Sequence, residues 1–152
     1  MIASNDQFMS SNANRFYEML DCEFSRASRY RYDVTLLFIK LCNLNEISST
    51  YGQLTAALIL SKIESLIKNN IRSSDQQFIY GSDEFMIIAP QTSKSAAKYM
   101  ILKLKRLMEG FCFSNDRDTS VTITPKFGIA SYPYDSLTKD GVVKMADHVT
   151  SD

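Results

Sequence analysis

The sequence predicts an α/β domain in which helices pack around a central mixed sheet, with elements in the order α-β-α-β-β-α-β-α. Three observations carry this. Apolar residues recur with the 3.6-residue period of amphipathic helices in some segments and crowd into short strand-length runs in others. The run at 33–41 (DVTLLFIKL) is apolar without alternation, the pattern of a strand covered on both faces. Gly81-Ser82-Asp83 separates two short strand-like segments with hairpin chemistry.

The elements follow in order. Across 12–29, Phe16, Leu20, Phe24 and Ala27 recur at helical spacing with Tyr17 beside them, which places an N-terminal helix there. After the strand at 33–41, Leu54, Leu58, Ile59, Ile63, Leu66 and Ile67 predict one apolar face of a helix over 53–69. Strands are expected at 77–80 and 84–89. Gly81 supplies the positive φ of their turn in this reading, and Pro90 ends the second strand. The segment 93–111 has the clearest helical stripe: Ala97, Met100, Ile101, Leu104, Leu107, Met108 and Phe111. Ser93 is placed to cap this helix and Gly110 to end it. A polar stretch at 114–118 leads to an alternating strand at 121–131, where Pro125 argues for an edge or a bulge. A short helix over 140–149 completes one domain, 1–152, without linkers, repeats or low-complexity segments.

Composition bounds the function. The chain has 152 residues, with 17 Lys+Arg against 17 Asp+Glu, so its formal net charge is zero. Apolar residues at 45% and this length suffice for a real core. A neutral chain lacks the basic field that duplex nucleic acid requires. Cys22, Cys42 and Cys112 lie far apart with no CxxC pair. They read as reduced, buried thiols of a cytoplasmic protein, not as a disulfide frame or zinc site. No run reaches membrane-spanning length, and 1–10 lacks the basic flank and apolar stretch of a signal peptide. Zero net charge is mildly adverse to solubility, which points to a partner or a larger parent chain.

Gly81-Ser82-Asp83-Glu84-Phe85 on a hairpin resembles the signature of the GGDEF family of bacterial diguanylate cyclases. Upstream, Arg72-Ser73-Ser74-Asp75 resembles the RxxD inhibitory site of that family at its usual offset. Phe127-Gly128-Ile129-Ala130 with Tyr132-Pro133 resembles its late-strand motif, and Lys144-Met145-Ala146-Asp147 the start of its final helix. Tyr51-Gly52-Gln53 is similar to its YGH turn, with Asp6, Phe8 and Arg15 as remnants of its opening motif. The resemblance spans essentially the whole chain and implies a palm-like nucleotidyl cyclase fold.

Active members condense two GTP molecules into cyclic di-GMP, using two hard cations held by carboxylates. The resemblance puts Asp83 at one carboxylate position and Lys40 at the other, an Asp that ends the first strand. An ammonium there implies an ion pair with Asp83 or Glu84 in place of metal; the plainer alternative is a strand-end lysine reaching solvent. The positions matching the family's guanine-binding Asn and Asp are Ser48 and Ala57, and an assisting Lys becomes Asn45. The basic segment that continues the final helix has no counterpart before Asp152. These departures imply a degenerate domain without catalytic residues, in which Asp83 and Glu84 are remnants and no magnesium is expected.

Arg72 and Asp75 match the pair that clamps a guanine of cyclic di-GMP in the family, and Lys103 matches the region supplying a second basic group. A guanidinium offers a planar donor fork to phosphate or the guanine N7/O6 edge, and a carboxylate accepts from N1 and N2. The implied role is an inactive GGDEF domain that receives cyclic di-GMP at the RxxD site. Two alternatives stay open: a nucleotide-independent interaction or dimerisation module, and a residual or noncanonical cyclase. Arg72 and Asp75 also fit a surface ion pair of little value. Expected partners are cyclic di-GMP and a protein or second copy, with neither duplex nucleic acid nor membrane insertion. Met100, Met108 and Met145 are assigned to core stripes, Cys42 to a small-hydrophobe role, and His148 to an exposed helix face.

Overall fold

Strand β1 (Val34–Leu41) runs through the middle of the molecule, buried on both faces as its unbroken apolar run requires. The structure, a computed structural model, describes residues 2–110, 112–114 and 120–147, with side chains over 14–110 and 121–147. The hairpin strands β2 (Gln76–Gly81) and β3 (Glu84–Pro90) lie to one side of β1, and β6 (Pro125–Tyr132) lies to the other. The sheet order is β2-β3-β1-β6, and a separate small sheet pairs β4 (Cys112–Ser114) with β5 (Ser120–Thr122). Every pairing is antiparallel, so the sheet is antiparallel throughout and not mixed. β1 and β2 do run the same way, but β3 separates them.

Alternate residues of β1 supply two cores. Leu37, Ile39 and Leu41 face α3 (Gln53–Lys68) and α4 (Lys94–Glu109), meeting Ile59, Ile63, Ile67, Leu104 and Met108. Val34, Leu36 and Phe38 face α1 (Ile2–Tyr30) and α5 (Lys139–Asp147), meeting Phe16, Leu20, Ala27, Val142 and Ala146. Aromatic edges lock α1 onto the hairpin: Phe16 lies 5.5 Å from Phe78 and 5.9 Å from Tyr80, ring centre to centre. A hydrogen bond with Tyr17, together with burial, pushes the Tyr80 hydroxyl up to about 12.

Several boundaries differ from the sequence expectation. α1 begins ten residues earlier, at Ile2 rather than at 12. α2 (Leu44–Tyr51) was not expected; it is eight residues long and buries only Leu44 and Ile47, too few to reveal a period. Gly52, at φ +97°, turns the chain directly from α2 into α3, a conformation that favours glycine. The expected strand at 121–131 is two: β5 ends at Thr122, and Pro125, lacking an N–H, opens the edge strand β6. On α3 the buried stripe is Ala56, Ile59, Ile63 and Ile67; Leu54 and Leu58, offset around the helix, are exposed. On α4, Ser93 caps as expected, accepting from the Ala96 N–H at 3.2 Å, and Leu107 lies at the exposed margin of the stripe.

Met145 is also exposed, while Met108 is buried and Met100 packs against the core. Cys22 and Cys42 are exposed, not buried: Cys22 lies off the Phe16–Leu20–Ala27 stripe, and Cys42 is the first residue past β1. Phe111, His148 and Val149 lie outside the described residues, as do 115–118 of the polar stretch and the side chain of Cys112. Among the described residues, no helix is long and apolar enough to cross a membrane.

Candidate nucleotide site

The hairpin register brings the signature segment to the end of β1. Lys40 stands directly opposite Glu84 of β3 and opposite Lys126 of β6. The Asp83 carbonyl accepts from the Leu41 N–H at 2.9 Å, which fastens the turn to the strand end. Lys40 Nζ lies 3.8 Å from Glu84 Oε1, so of the two partners expected for Lys40 the structure selects Glu84. Burial pushes the Glu84 carboxyl above the usual range, Asp83 pushes the same way, and Lys40 opposes them without prevailing.

The turn itself departs from the expectation for Gly81. Gly81 is not in the left-handed region, and the strand register shifts between Ile79 and Gly81. What a side chain at Gly81 would meet is the Glu84 carboxylate, 3.4 Å from an ideal Cβ. That is ordinary van der Waals contact with a flexible side chain, so neither positive φ nor close packing demands glycine here.

The second cluster lies where the chain leaves α3 and enters β2. Arg72 and Asp75 form a closed turn: the Asp75 N–H donates to the Arg72 carbonyl at 3.0 Å, and the Arg72 N–H donates to Asp75 Oδ2 at 2.9 Å. The guanidinium adds Nη2 to Asp75 Oδ1 at 2.9 Å and Nε to Oδ2 at 3.4 Å. Nη2 also donates to the Pro90 carbonyl at 2.8 Å and to Thr92 Oγ1. Those bonds bracket Gln91, held at φ +51°, a left-handed conformation uncommon outside glycine. The RxxD pair therefore ties the start of β2 to the β3–α4 connection.

Burial divides the pair into two roles. The Asp75 side chain is 0% exposed, whereas that of Arg72 is 50% exposed. Asp75 is turned inward and engaged with the Arg72 amide and guanidinium, while Arg72 is the more open half of the pair. Arg72 opens on a groove of about 470 Å³ that Asp75 also lines, together with Lys68, Ile71, Ser73, Glu64, Gln77 and Ile79. Lys68 was not singled out in the sequence, although it closes α3 four residues before Arg72. Lys103 is exposed on α4 and is not among the residues that line this groove.

The positions matched to guanine contacts lie on the two neighbouring helices α2 and α3. Ser48 is half-buried on α2, where its carbonyl accepts from Gly52, and Ala57 is exposed on α3. A smaller cleft of about 290 Å³ between α2 and β5 is lined by Asn43, Glu46, Ile47, Thr50, Tyr51, Val121 and Thr122, without Ser48 or Ala57. Asn43 spans its floor: Nδ2 donates to the Thr122 carbonyl and Oδ1 accepts from the Thr124 N–H, both at 2.8 Å.

An antiparallel sheet sheathed by helices on both faces, with a hairpin turn set against the end of its central strand, is the architecture of palm-like nucleotidyl cyclase domains. The sequence matches the family described as "Diguanylate cyclase, GGDEF domain" over residues 11–152, and the chain belongs to this family. Diguanylate cyclase A of Treponema denticola is 26% identical over 114 residues, which is 75% of this chain and 30% of that protein. The chain thus spans about a third of that relative. The GGDEF domain of PA1120 (YfiN or TpbB) from Pseudomonas aeruginosa superposes with TM-score 0.82 and 25% identity, covering 88% of this chain and 83% of that one. The GGDEF domain of DgcB from Caulobacter crescentus, solved in complex with c-di-GMP, gives TM-score 0.81 at 19% identity, covering 89% and 80%.

Proposed function

We propose that this chain is a catalytically inactive GGDEF domain that binds cyclic di-GMP in the groove beside Arg72 and acts as a receptor or regulatory module in cyclic di-GMP signalling. The observation that carries the reading is a half-exposed guanidinium, locked by Asp75 and opening on a groove of about 470 Å³ that also holds Lys68. With Nε and Nη2 engaged by Asp75, Pro90 and Thr92, the fixed guanidinium offers its Nη1 donors to a phosphate or guanine acceptor, and Lys68 adds a point charge for a phosphate. That the DgcB GGDEF domain was solved in complex with c-di-GMP supports the ligand class.

The inactivity rests on the hairpin end. Family chemistry uses two divalent cations between the strand end and the signature turn, and the residues present do not fit them. Lys40 puts an ammonium 3.8 Å from Glu84 where the family keeps a carboxylate. Asp83 is left without a carboxylate at position 40, and the neighbouring Glu84 faces the Lys40 ammonium instead of a hard cation. No catalytic step is assigned to these groups. Ligand binding acts by differential affinity: a state that presents the Arg72 groove is favoured over one that covers it.

The test has two arms. Incubation with GTP and magnesium is expected to yield no cyclic dinucleotide; detection of cyclic di-GMP would overturn the inactivity. Titration with cyclic di-GMP is expected to give saturable binding that Lys68→Ala and Arg72→Ala each weaken. Wild-type affinity in both variants would place the site elsewhere.

A further inference from the structure

The sheet has two edges, and the sequence treats them differently. β6 is blunted: it opens with Pro125, which has no N–H, and continues with Lys126. Natural edge strands use such residues to prevent pairing with another chain. β2 has neither. Its sequence, Gln76-Gln77-Phe78-Ile79-Tyr80-Gly81, contains no charge and no proline. Its register irregularity is confined to the last residues, leaving 76–79 regularly paired with β3. Among the described residues, no strand pairs with its outer side.

Space exists beside that edge on both faces of the sheet. The groove of about 470 Å³ lies on the α3 side, and a second cleft of about 440 Å³, lined by Arg15, Met19 and Phe78, lies on the α1 side. Both clefts share Glu64, Gln77 and Ile79. An added strand sends alternate side chains to opposite faces, so one cleft on each face is what it requires.

The charges beside β2 specify the partner. Lys68 and Arg72 stand at its leading end, Asp83 and Glu84 follow its trailing end, and Arg15 and Glu64, of opposite sign, line the clefts beside its middle. In an antiparallel match of two identical edges, each basic end meets an acidic end; a parallel match sets like charges together. We infer that β2 is a self-association edge, pairing antiparallel with β2 of a second copy about a two-fold axis that passes through Phe78 normal to the sheet, so that opposite residues share a face. Gln76 then lies opposite Tyr80 of the partner subunit, and Lys68 and Arg72 stand toward the end that carries Asp83 of the partner subunit. Such an interface is isologous and closes at the dimer, which avoids open-ended assembly. Lys68, Arg72 and the groove of about 470 Å³ are shared with the proposed ligand site, so association is measured without nucleotide to separate the two readings.

Sedimentation equilibrium without nucleotide, from about 1 to about 500 μM, covers the range of a small transient interface. The expected result is a reversible monomer–dimer equilibrium. Gln76→Lys, a charge placed on the edge, is expected to weaken it at least about tenfold. Asp83→Lys and Lys68→Glu are each expected to weaken it, and the Lys68→Glu/Asp83→Lys double variant to restore it. A monomer throughout the range would overturn the inference. So would unchanged dimerisation of Gln76→Lys, or a double variant no better than the single ones.

Discussion

Replacing Asp75 with alanine probes the account where the sequence was most easily misread. A surface ion pair predicts almost no effect, about 0–1 kcal/mol. The structure predicts more, because the Asp75 side chain is 0% exposed and its oxygens accept from the Arg72 amide and guanidinium at 2.9, 3.4 and 2.9 Å. Removing one partner of a buried pair costs about 3–5 kcal/mol. Arg72, half exposed, recovers part of that by turning to water, which leaves about 2–4 kcal/mol. For a domain of this size that is a fall in Tm of about 5–15 °C. Asp75→Asn keeps an acceptor for the Arg72 amide and is expected to lie between alanine and wild type. Urea unfolding of the three proteins measures the difference; a loss below about 1 kcal/mol for Asp75→Ala would refute the buried role.

Three further expectations follow from the same geometry. Thr35 is buried, donates to the Thr92 carbonyl at 2.7 Å and shares a hydrogen bond with Ser131 Oγ at 2.6 Å, so Thr35→Val strands both partners. Its expected cost is about 1–3 kcal/mol by urea unfolding, and a neutral substitution would contradict the assigned bonds. Burial pushes Asp135 upward, but the Lys94 ammonium and the Ser131 N–H together outweigh it and hold its carboxyl below the ordinary range. Its stabilisation is therefore complete above the ordinary aspartate value near about 3.9 and is lost as pH falls through the lower folded value. Urea midpoints measured from neutral to acid pH should lose part of that acid slope in Asp135→Asn; an unchanged slope would count against it. Cys22 and Cys42 are exposed, so a thiol reagent should modify both in the native protein, and Cys22→Ser/Cys42→Ser should remove that reaction. Labelling only after denaturation would contradict their placement.

The elements most legible in the sequence were those with dense, long-range signals. The unbroken run of β1 announced burial on both faces, and the hairpin signature announced a turn set against the strand end while leaving Asp83 and Glu84 both open as partners of Lys40. α2 was invisible because Leu44 and Ile47 alone cannot define a period. Leu54 and Leu58 were assigned to the buried face of α3 by composition, yet the register set by Ala56, Ile59, Ile63 and Ile67 turns them outward. The RxxD spacing showed that Arg72 and Asp75 are neighbours. It could not show which side chain is buried, because that depends on Pro90 and Thr92, 18 and 20 residues away. Lys68 carried a usable signal, a basic residue in the last turn of α3, but its approach to Arg72 depends on how Asn69 and Asn70 turn the chain.

Calorimetric titration of the wild-type chain with cyclic di-GMP in the absence of magnesium tests the central claim most directly. The account predicts saturable heat in the micromolar range, with affinity reduced at least about tenfold, or about 1.4 kcal/mol, in both Lys68→Ala and Arg72→Ala. Absence of binding by the wild type at these concentrations, or undiminished affinity in both variants, would contradict it.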